Sequence, residues 1–127
     1  MREIKFRGQR KDNHEWVIGD LLQNYIHHNS GTTIQQGGCV FYEVEKDTVG
    51  QYTGLKDKNG VEIYEGDILQ EGDETIWSRY EVVWYKDFCS FGLDSKRVSP
   101  NIQYPSWNRA KNMIIIGNIH SNPELLK

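Results

Sequence analysis

Apolar and polar residues alternate with a period of two along much of this chain. In residues 4–7, isoleucine and phenylalanine alternate with lysine and arginine, which is the pattern of a half-buried β-strand. The segment HEWVIGDLL at 14–22 is again apolar and β-branched, and it follows the turn-forming residues KDN at 11–13. The sequence therefore predicts an N-terminal β-hairpin.

Further strands are predicted along the rest of the chain because aromatic and β-branched residues cluster in short runs. These runs are CVFYEV at 39–44, YEVVWY at 80–85, FCSFGL at 88–93 and MIIIGNIH at 113–120. The last run is apolar on both faces, which predicts a central position in a sheet. A single helical turn is predicted at the end, beginning at Pro123 after Asn122. No longer segment has a helical period, so the predicted fold class is mostly β with little helix.

The stretch QYTGLKDKNGVEIYEGDIL, residues 51–69, contains two turn signals. Asn59-Gly60 predicts a hairpin with a type I′ turn, in which both residues take positive φ. Gly66-Asp67 predicts a second corner, where the carboxylate accepts hydrogen bonds from nearby backbone N–H groups. Gly19-Asp20 in VIGDLL resembles the Gly-Asp pair of YEGDIL, and shared turn chemistry explains this better than an internal repeat.

Three segments are predicted to be loops. Residues 24–38 are polar, with one short strand at about 32–34, while 71–78 are charged and 94–111 contain two prolines without apolar periodicity. Two tryptophans, Trp77 and Trp107, fall in these predicted loops. Each is expected either to cap the end of the fold or to mark a surface for self-association or for a ligand.

Composition and charge narrow the class of protein. The chain has 127 residues, of which 37% are hydrophobic and 26% charged, and 15 are aromatic, so one ordered globular domain is expected. The formal net charge of −3 disfavours sequence-independent binding to nucleic acid. The N-terminus lacks the apolar run of a signal peptide, and no segment is apolar enough for a membrane span. A soluble intracellular protein, without membrane contact, is therefore expected.

Candidate chemistry is sparse. His27 and His28 are adjacent, with Cys39 and His120 further along, but neighbouring residues of a strand face opposite sides and no recurrent ligand spacing is present. The alternative is a pair of exposed loop histidines, and no metal or other cofactor is predicted. Glu62, Glu65 and Asp67 do not converge on one point of the predicted hairpin. No catalytic residue is predicted, and an enzyme is disfavoured.

The two cysteines, Cys39 and Cys89, lie in the apolar runs CVFYEV and FCSFGL. A thiol in such a strand is usually a small buried hydrophobic group. Core packing is therefore predicted for both, in preference to a nucleophile.

Basic residues form one cluster near the N-terminus: Arg2, Lys5, Arg7, Arg10 and Lys11. The cluster could contact an acidic protein or nucleic acid. The favoured interpretation is a solvated strand edge that resists aggregation. Arg7 and Arg10 are the candidate binding residues of this cluster.

The segment TVGQYTGLKDKNGVEIYEGDIL at 48–69 strongly resembles the signature of the YopX family of phage and prophage proteins. REIKFRG, EWVIGDLL, YEVVWY, FGL and IGNIHSNPELLK resemble further parts of the family pattern, so the resemblance covers nearly the whole chain. It implies one domain over 1–127, with an N-terminal hairpin region (1–50) and an SH3-like, partly open barrel (51–127). It also implies homo-oligomers and no assigned activity.

The resemblance implies structural roles for six residues of the signature. Thr53, Gly54, Asn59 and Gly60 would build the hairpin, and Gly66 and Asp67 would turn the chain into the barrel. The favoured hypothesis is a phage or prophage accessory protein that acts through contacts with itself or with a phage or host protein. A nucleic-acid-binding module is the alternative, and a small enzyme using scattered His, Cys and carboxylate groups is the third.

Self-association is also predicted from apolar residues that fall outside the strands. Trp77, Ile102 and Trp107 lie in predicted loops, and flat apolar strands such as YEVVWY must be covered if they lie at an edge. A closed symmetric oligomer would cover such surfaces. Trp107 is predicted to lie nearer the interface than Trp77.

Overall fold

The computed structural model describes residues 2–23, 31–73, 75–95 and 105–126. In these ranges the chain forms antiparallel β-strands and short 3-10 helices, so the predicted mostly-β class is confirmed. The strands are β1 (Phe6–Gln9), β2 (Trp16–Gln23), β3 (Thr32–Gln35), β4 (Phe41–Glu43), β5 (Gly50–Lys56), β6 (Glu62–Tyr64), β7 (Asp67–Gly72), β8 (Trp77–Tyr85), β9 (Ser90–Asp94) and β10 (Ile114–Asn118). The 3-10 helices are Lys46–Thr48, Trp107–Asn112 and Pro123–Leu126. None of these helices has the length and apolar character needed to cross a membrane.

The chain divides into two compact units, Met1–Tyr52 and Thr53–Lys127. In the first unit, β1 and β2 form the predicted N-terminal hairpin, with Phe6 opposite Gly19. β3 then pairs with β2, and β4 pairs with β3. β3 is the short strand that the sequence predicted near residues 32–34.

The outer edge of β4 is covered by the residues that follow β1. Arg10 forms an antiparallel bridge with Val44, and the Glu45 N–H donates to the Gln9 carbonyl at 2.8 Å. The start of β1 pairs with β5, whereas the end of β1 bonds to the segment that follows β4. Two segments therefore share the side of β1 that faces away from β2. Thr48 makes this possible because its hydroxyl accepts from the Gln9 N–H at 2.9 Å.

The core of the first unit is small and apolar. Its buried members are Val17, Ile34 and Val44, with Phe6, Leu21, Tyr42 and Val49 packed against them. Gly8 lies against this core, because a Cβ atom at Gly8 would come within 3.1 Å of the Val44 side chain. A larger residue at position 8 would therefore displace Val44.

The second unit contains a four-stranded sheet, in the order β10-β7-β8-β9. Its core holds Ile63, Leu69, Val82, Leu93, Ala110 and Met113, with Leu55, Tyr80, Trp107 and Ile115 packed against them. β5 continues from the first unit into the second and is followed by β6. No closed barrel forms among the described residues, and the SH3-like detail stays a prediction.

The prediction of a central position for MIIIGNIH is wrong, because β10 is an outer strand of its sheet. The apolar run has a different cause. Met113, just before β10, is fully buried, and Ile115 packs against the same core. The outer backbone of the run is covered by the turn that follows β5: the Met113 carbonyl accepts from the Lys58 N–H at 2.9 Å.

The predicted charged loop at 71–78 is shorter than expected, since β7 and β8 enclose a tight turn. Asp73 closes this turn, and its Oδ1 accepts from the backbone N–H groups of Thr75 and Ile76 at 2.8 and 2.9 Å. These hydrogen bonds lower the pKa of Asp73 to about 2, and the bond from the Ile76 N–H has the largest effect. Charged residues thus belong to a hairpin turn here rather than to a long loop.

The strand predicted at 88–93 begins two residues later, at Ser90. Phe88 and Cys89 belong to the turn: the N–H groups of Phe88 and Cys89 donate to the carbonyls of Tyr85 and Lys86. Cys89 takes a positive φ of 48°, which is outside the strand region. The apolar run FCSFGL was therefore predicted to be one strand, although its first two residues belong to a four-residue turn.

Candidate interaction surface

The hairpin between β5 and β6 is organised by a buried carboxylate, Asp57, which is only 6% exposed. Its Oδ1 accepts from the N–H groups of Asn59 and Val61, both at 2.9 Å. Its Oδ2 accepts from the N–H of Ile115 in β10 at 3.1 Å. One side chain therefore holds the turn together and joins it to the outer strand of the sheet.

The type I′ assignment at Asn59-Gly60 is wrong, since Asn59 does not take a positive φ. Gly60 does, at 81°, and its N–H donates to the Asp57 carbonyl at 3.0 Å. This is the arrangement of a three-residue hairpin loop that ends in a left-handed glycine. The carboxylate of Asp57 supplies bonds that make this loop more favourable here than a two-residue turn.

Replacing Gly60 with valine is expected to lower the free energy of unfolding by about 1 kcal/mol or more, because a β-branched residue is strained at positive φ. Space is not the cause, since nothing lies within 4 Å of a Cβ atom at this position. Urea denaturation measures the change. Gly38 is a matched control with equally open surroundings and no positive φ, so Gly38→Val is expected to cost nothing. Equal stability of the two variants would contradict the prediction.

The other signature residues also make backbone contacts. The Thr53 hydroxyl donates to the Ile63 carbonyl at 2.8 Å, which links β5 to β6. Gly54 takes a positive φ of 88° within β5. Gly66 has the same φ at the corner between β6 and β7, and the carboxylate of Asp67 accepts from the Tyr64 N–H at 2.8 Å.

Two cations of the N-terminal basic cluster, Lys5 and Arg7, contact other side chains of the first unit. The Lys5 ammonium lies 3.1 Å from the Glu3 carboxylate and 4.9 Å from the centroid of the Tyr52 ring. The guanidinium of Arg7 lies 4.9 Å from the centroid of the Trp16 ring. Both cations are therefore positioned over aromatic rings of the first unit.

Arg10 and Lys11 are likewise paired. Asp12 accepts two hydrogen bonds from Arg10, at 2.9 and 2.5 Å, and this pair lowers the pKa of Asp12 below its usual value. Arg10 also lies over the Tyr42 ring, 4.4 Å from its centroid, and Lys11 lies 3.4 Å from a Glu43 oxygen. These carboxylates offset the positive charge that binding to a phosphate backbone would require.

An open pocket of about 180 Å³ lies beside these ion pairs. It is lined by Arg10, Lys11, Asp12, Phe41, Tyr42 and Glu43. Its two cations and two carboxylates cancel, and its volume is below the roughly 300 Å³ at which small-molecule sites usually begin. The pocket therefore has neither the charge nor the size of a substrate site.

The second unit carries a row of three aromatic side chains, Trp84, Phe91 and Trp107, which we call the aromatic row. Trp84 on β8 and Phe91 on β9 are cross-strand partners, with ring centroids 5.0 Å apart in an edge-on arrangement. The Phe91 and Trp107 centroids are 6.0 Å apart. Trp84 is 48% exposed. Aromatic groups of this kind dominate protein–protein interfaces.

The two tryptophans predicted in loops have different surroundings. Trp77 begins β8, and the guanidinium of Arg79 lies 4.0 Å from its ring centroid. Trp107 begins a 3-10 helix and packs against the core of the second unit. Both loop predictions are wrong, because strand β8 starts earlier and a short helix follows residue 106. Ile102, His27 and His28 lie outside the described residues.

A family model described as "YopX protein" matches residues 5–127. The chain belongs to the YopX family. The crystal structure of protein EF1440 from Enterococcus faecalis is similar over 100% of both chains, with 26% sequence identity and a TM-score of 0.60. A comparison with curated proteins gives no match.

In this YopX-family chain the predicted burial of the cysteines is wrong. Cys39 and Cys89 are both exposed, because Cys39 precedes β4 and Cys89 lies in the turn before β9. Within the described ranges no group of three or more His, Cys, Asp or Glu residues could hold a metal ion.

Three features of the YopX-family chain were missed from the sequence: Asp57, the exposed Trp84 and the exposed Phe88. Asp57 lies in KDKNG, whose turn signal was assigned to Asn59-Gly60. Trp84 and Phe88 lie in apolar runs that were interpreted as buried strands. A hairpin between YEVVWY and FCSFGL needs a loop of two to five residues. A loop that included Phe88 would have predicted that this side chain is exposed.

Proposed function

We propose that this YopX-family chain is a non-enzymatic accessory protein that acts through protein–protein contacts, with itself and with a phage or host protein. Its proposed setting is the cytoplasm of a bacterium that carries a phage or prophage. The phage origin and the cytoplasmic setting rest on the family resemblance. The observation that supports action through protein contacts is the aromatic row with its exposed Trp84, because large exposed aromatic groups are enriched at such interfaces.

The surroundings of the basic cluster favour protein contacts over nucleic-acid binding. Lys5, Arg10 and Lys11 each have a carboxylate within 3.4 Å, and the chain carries a net charge of −3. A phosphate backbone would have to displace these partners, which costs free energy. The interpretation of the cluster as a solvated strand edge is wrong, because β1, which carries Arg7, is paired with β2 on one side and with β5 on the other.

Self-association remains part of this proposal, with the interface nearer Trp107 than Trp77. Trp107 adjoins Phe91 in the aromatic row, whereas the Trp77 ring is covered by Arg79. A ring that already stacks on a cation gains less from a new partner. The Trp107 side of the second unit is therefore the better candidate for an interface.

Affinity capture from infected or lysogenic bacteria tests the proposal. Wild type is expected to retain a defined protein partner, and Trp84→Ser is expected to retain at least about tenfold less, because a central aromatic anchor typically contributes 2 kcal/mol or more to binding. Val61→Ser is the matched control, since Val61 is 52% exposed in the same unit.

Equal capture by wild type and Trp84→Ser would contradict the role of the aromatic row. Salt-dependent binding of the purified protein to DNA or RNA, with no protein retained, would favour the nucleic-acid alternative.

A further inference from the structure

The end of the β8–β9 hairpin extends past its neighbouring strand. β7 begins at Asp67, and its register with β8 ends at the pair Ile68 and Glu81; one further bond joins the Gly66 N–H to the Val82 carbonyl. Beyond Val82, the strand neighbour of β8 within the described ranges is β9. Residues 83–91 therefore form a two-stranded projection, which we call the arm.

Both faces of the arm carry aromatic rings. Trp84 and Phe91 lie on the face that Val82 and Leu93 bury further along, because alternate residues of a strand share a face. Tyr85 lies on the opposite face, against Gly92, where a Cβ atom would meet its ring at 2.3 Å. An isolated two-stranded hairpin is marginally stable in water, so the packing of these rings, including that of Phe91 against Trp107, stabilises the arm.

The tip of the arm is the most exposed aromatic site among the described residues. Phe88 is 78% exposed, and its ring lies edge-on to Tyr85 with centroids 6.3 Å apart. Burial of a phenylalanine side chain in an interface is favourable, because its apolar surface is removed from water. A partner that covers the tip would therefore bury a large apolar side chain that is exposed in the single chain.

The charges of the arm indicate which partner fits it. Its charged residues are Lys86 and Asp87, which are adjacent and of opposite sign. A net charge of zero attracts neither a phosphate backbone nor an anionic lipid surface, and Asp87 beside Phe88 opposes insertion into a bilayer. A second arm is complementary, because a two-fold axis can place each lysine beside the other copy's aspartate.

We infer that the arm is the surface through which two copies of this chain associate, with Phe88 and Trp84 buried between the copies and Lys86 of each beside Asp87 of the other. This inference rests on the self-association part of the proposed function and adds the surface and the symmetry. The contact is isologous, so it closes after two copies.

Sedimentation equilibrium of the full chain at about 1 to 100 µM tests the inference. Wild type is expected to form a dimer, and Phe88→Ser to raise its dissociation constant at least about tenfold, since each dimer loses two buried rings. Ile76→Ser is the matched control: Ile76 is 81% exposed in the turn between β7 and β8, at the other end of β8. Its dissociation constant is expected to equal that of wild type.

Charge-exchange variants distinguish a specific contact through the arm from non-specific hydrophobic association. Lys86→Glu and Asp87→Lys should each weaken the dimer, because each places like charges together across the two-fold axis. An equimolar mixture of the two variants should recover a heterodimer near wild-type affinity. Failure of the mixture to recover would overturn the proposed pairing of Lys86 with Asp87.

Two other results would overturn the inference. A dimer unaffected by Phe88→Ser would remove the arm as the interface while leaving self-association in place. A wild-type chain that is monomeric at 100 µM would reject association through the arm, and contact with a different protein would still be decided by the capture experiment. Binding of the arm to vesicles or DNA, reduced by Phe88→Ser without any dimer, would also overturn it.

Discussion

Replacing Asp57 with alanine is expected to lower the free energy of unfolding by about 3 kcal/mol, since hydrogen bonds to a charged acceptor each contribute about 1.5 to 3 kcal/mol and are not fully additive. The change leaves three backbone N–H groups, those of Asn59, Val61 and Ile115, without their acceptor. It also removes one hydrogen bond that links the β5–β6 turn to β10. A loss of this size is a large part of the roughly 5 to 15 kcal/mol that stabilises a typical domain.

Urea denaturation followed by circular dichroism measures this loss, and hydrogen exchange at Ile115 tests its cause. Asp57→Asn is expected to lose about half as much, because an amide keeps one acceptor oxygen but turns a donor toward the third N–H group. Unchanged protection of the Ile115 amide in Asp57→Ala would contradict the proposed link between the turn and β10.

Asp73 is the matched control for Asp57, because its carboxylate also accepts backbone N–H groups in a hairpin turn. It is exposed, so Asp73→Ala is expected to have a much smaller effect. The folded pKa of Asp73, about 2, lies below its ordinary value of 3.8. Its stabilising contribution is therefore present above about pH 4 and is lost as the pH falls toward 2.

The period-two pattern was sufficient to predict the fold class and the first hairpin, because burial on one face imposes alternation on each strand. It did not show where the run FCSFGL leaves the sheet. Phe88 and Phe91 look alike in the sequence, yet the first is at a turn and the second is a cross-strand partner of Trp84. An exposed aromatic residue in a turn breaks the usual pattern, which is why the exposure of Phe88 was not predicted.

The role of Asp57 could not be predicted from local sequence for a different reason. Two of its bonds stay within the turn and are typical of aspartate there, but the third reaches Ile115, 58 residues later. The same long-range contact explains the error over β10. That strand lies at the outside of its sheet and still has its backbone covered, so apolar composition alone indicated the wrong position.

Replacing Asp67 with alanine is expected to cost about 2 kcal/mol, because a buried acceptor is removed and the Tyr64 N–H is left unsatisfied. Asp67 is 2% exposed and Tyr64 is 3% exposed, so water cannot readily replace the lost bond. The loss should appear in the urea midpoint with an unchanged m value. Asp67→Asn, which keeps an acceptor oxygen, should recover part of it.

Asp20 provides the control within the same chain, because Gly19-Asp20 and Gly66-Asp67 are both followed by two aliphatic residues. The sequence similarity suggested two corners, and this was wrong for the first pair: Gly19 and Asp20 lie inside β2, with Asp20 exposed. Asp20→Ala is therefore expected to leave stability unchanged. If Asp67→Ala were equally neutral but reduced the capture of a partner, the signature would be a binding motif and its structural interpretation would be wrong.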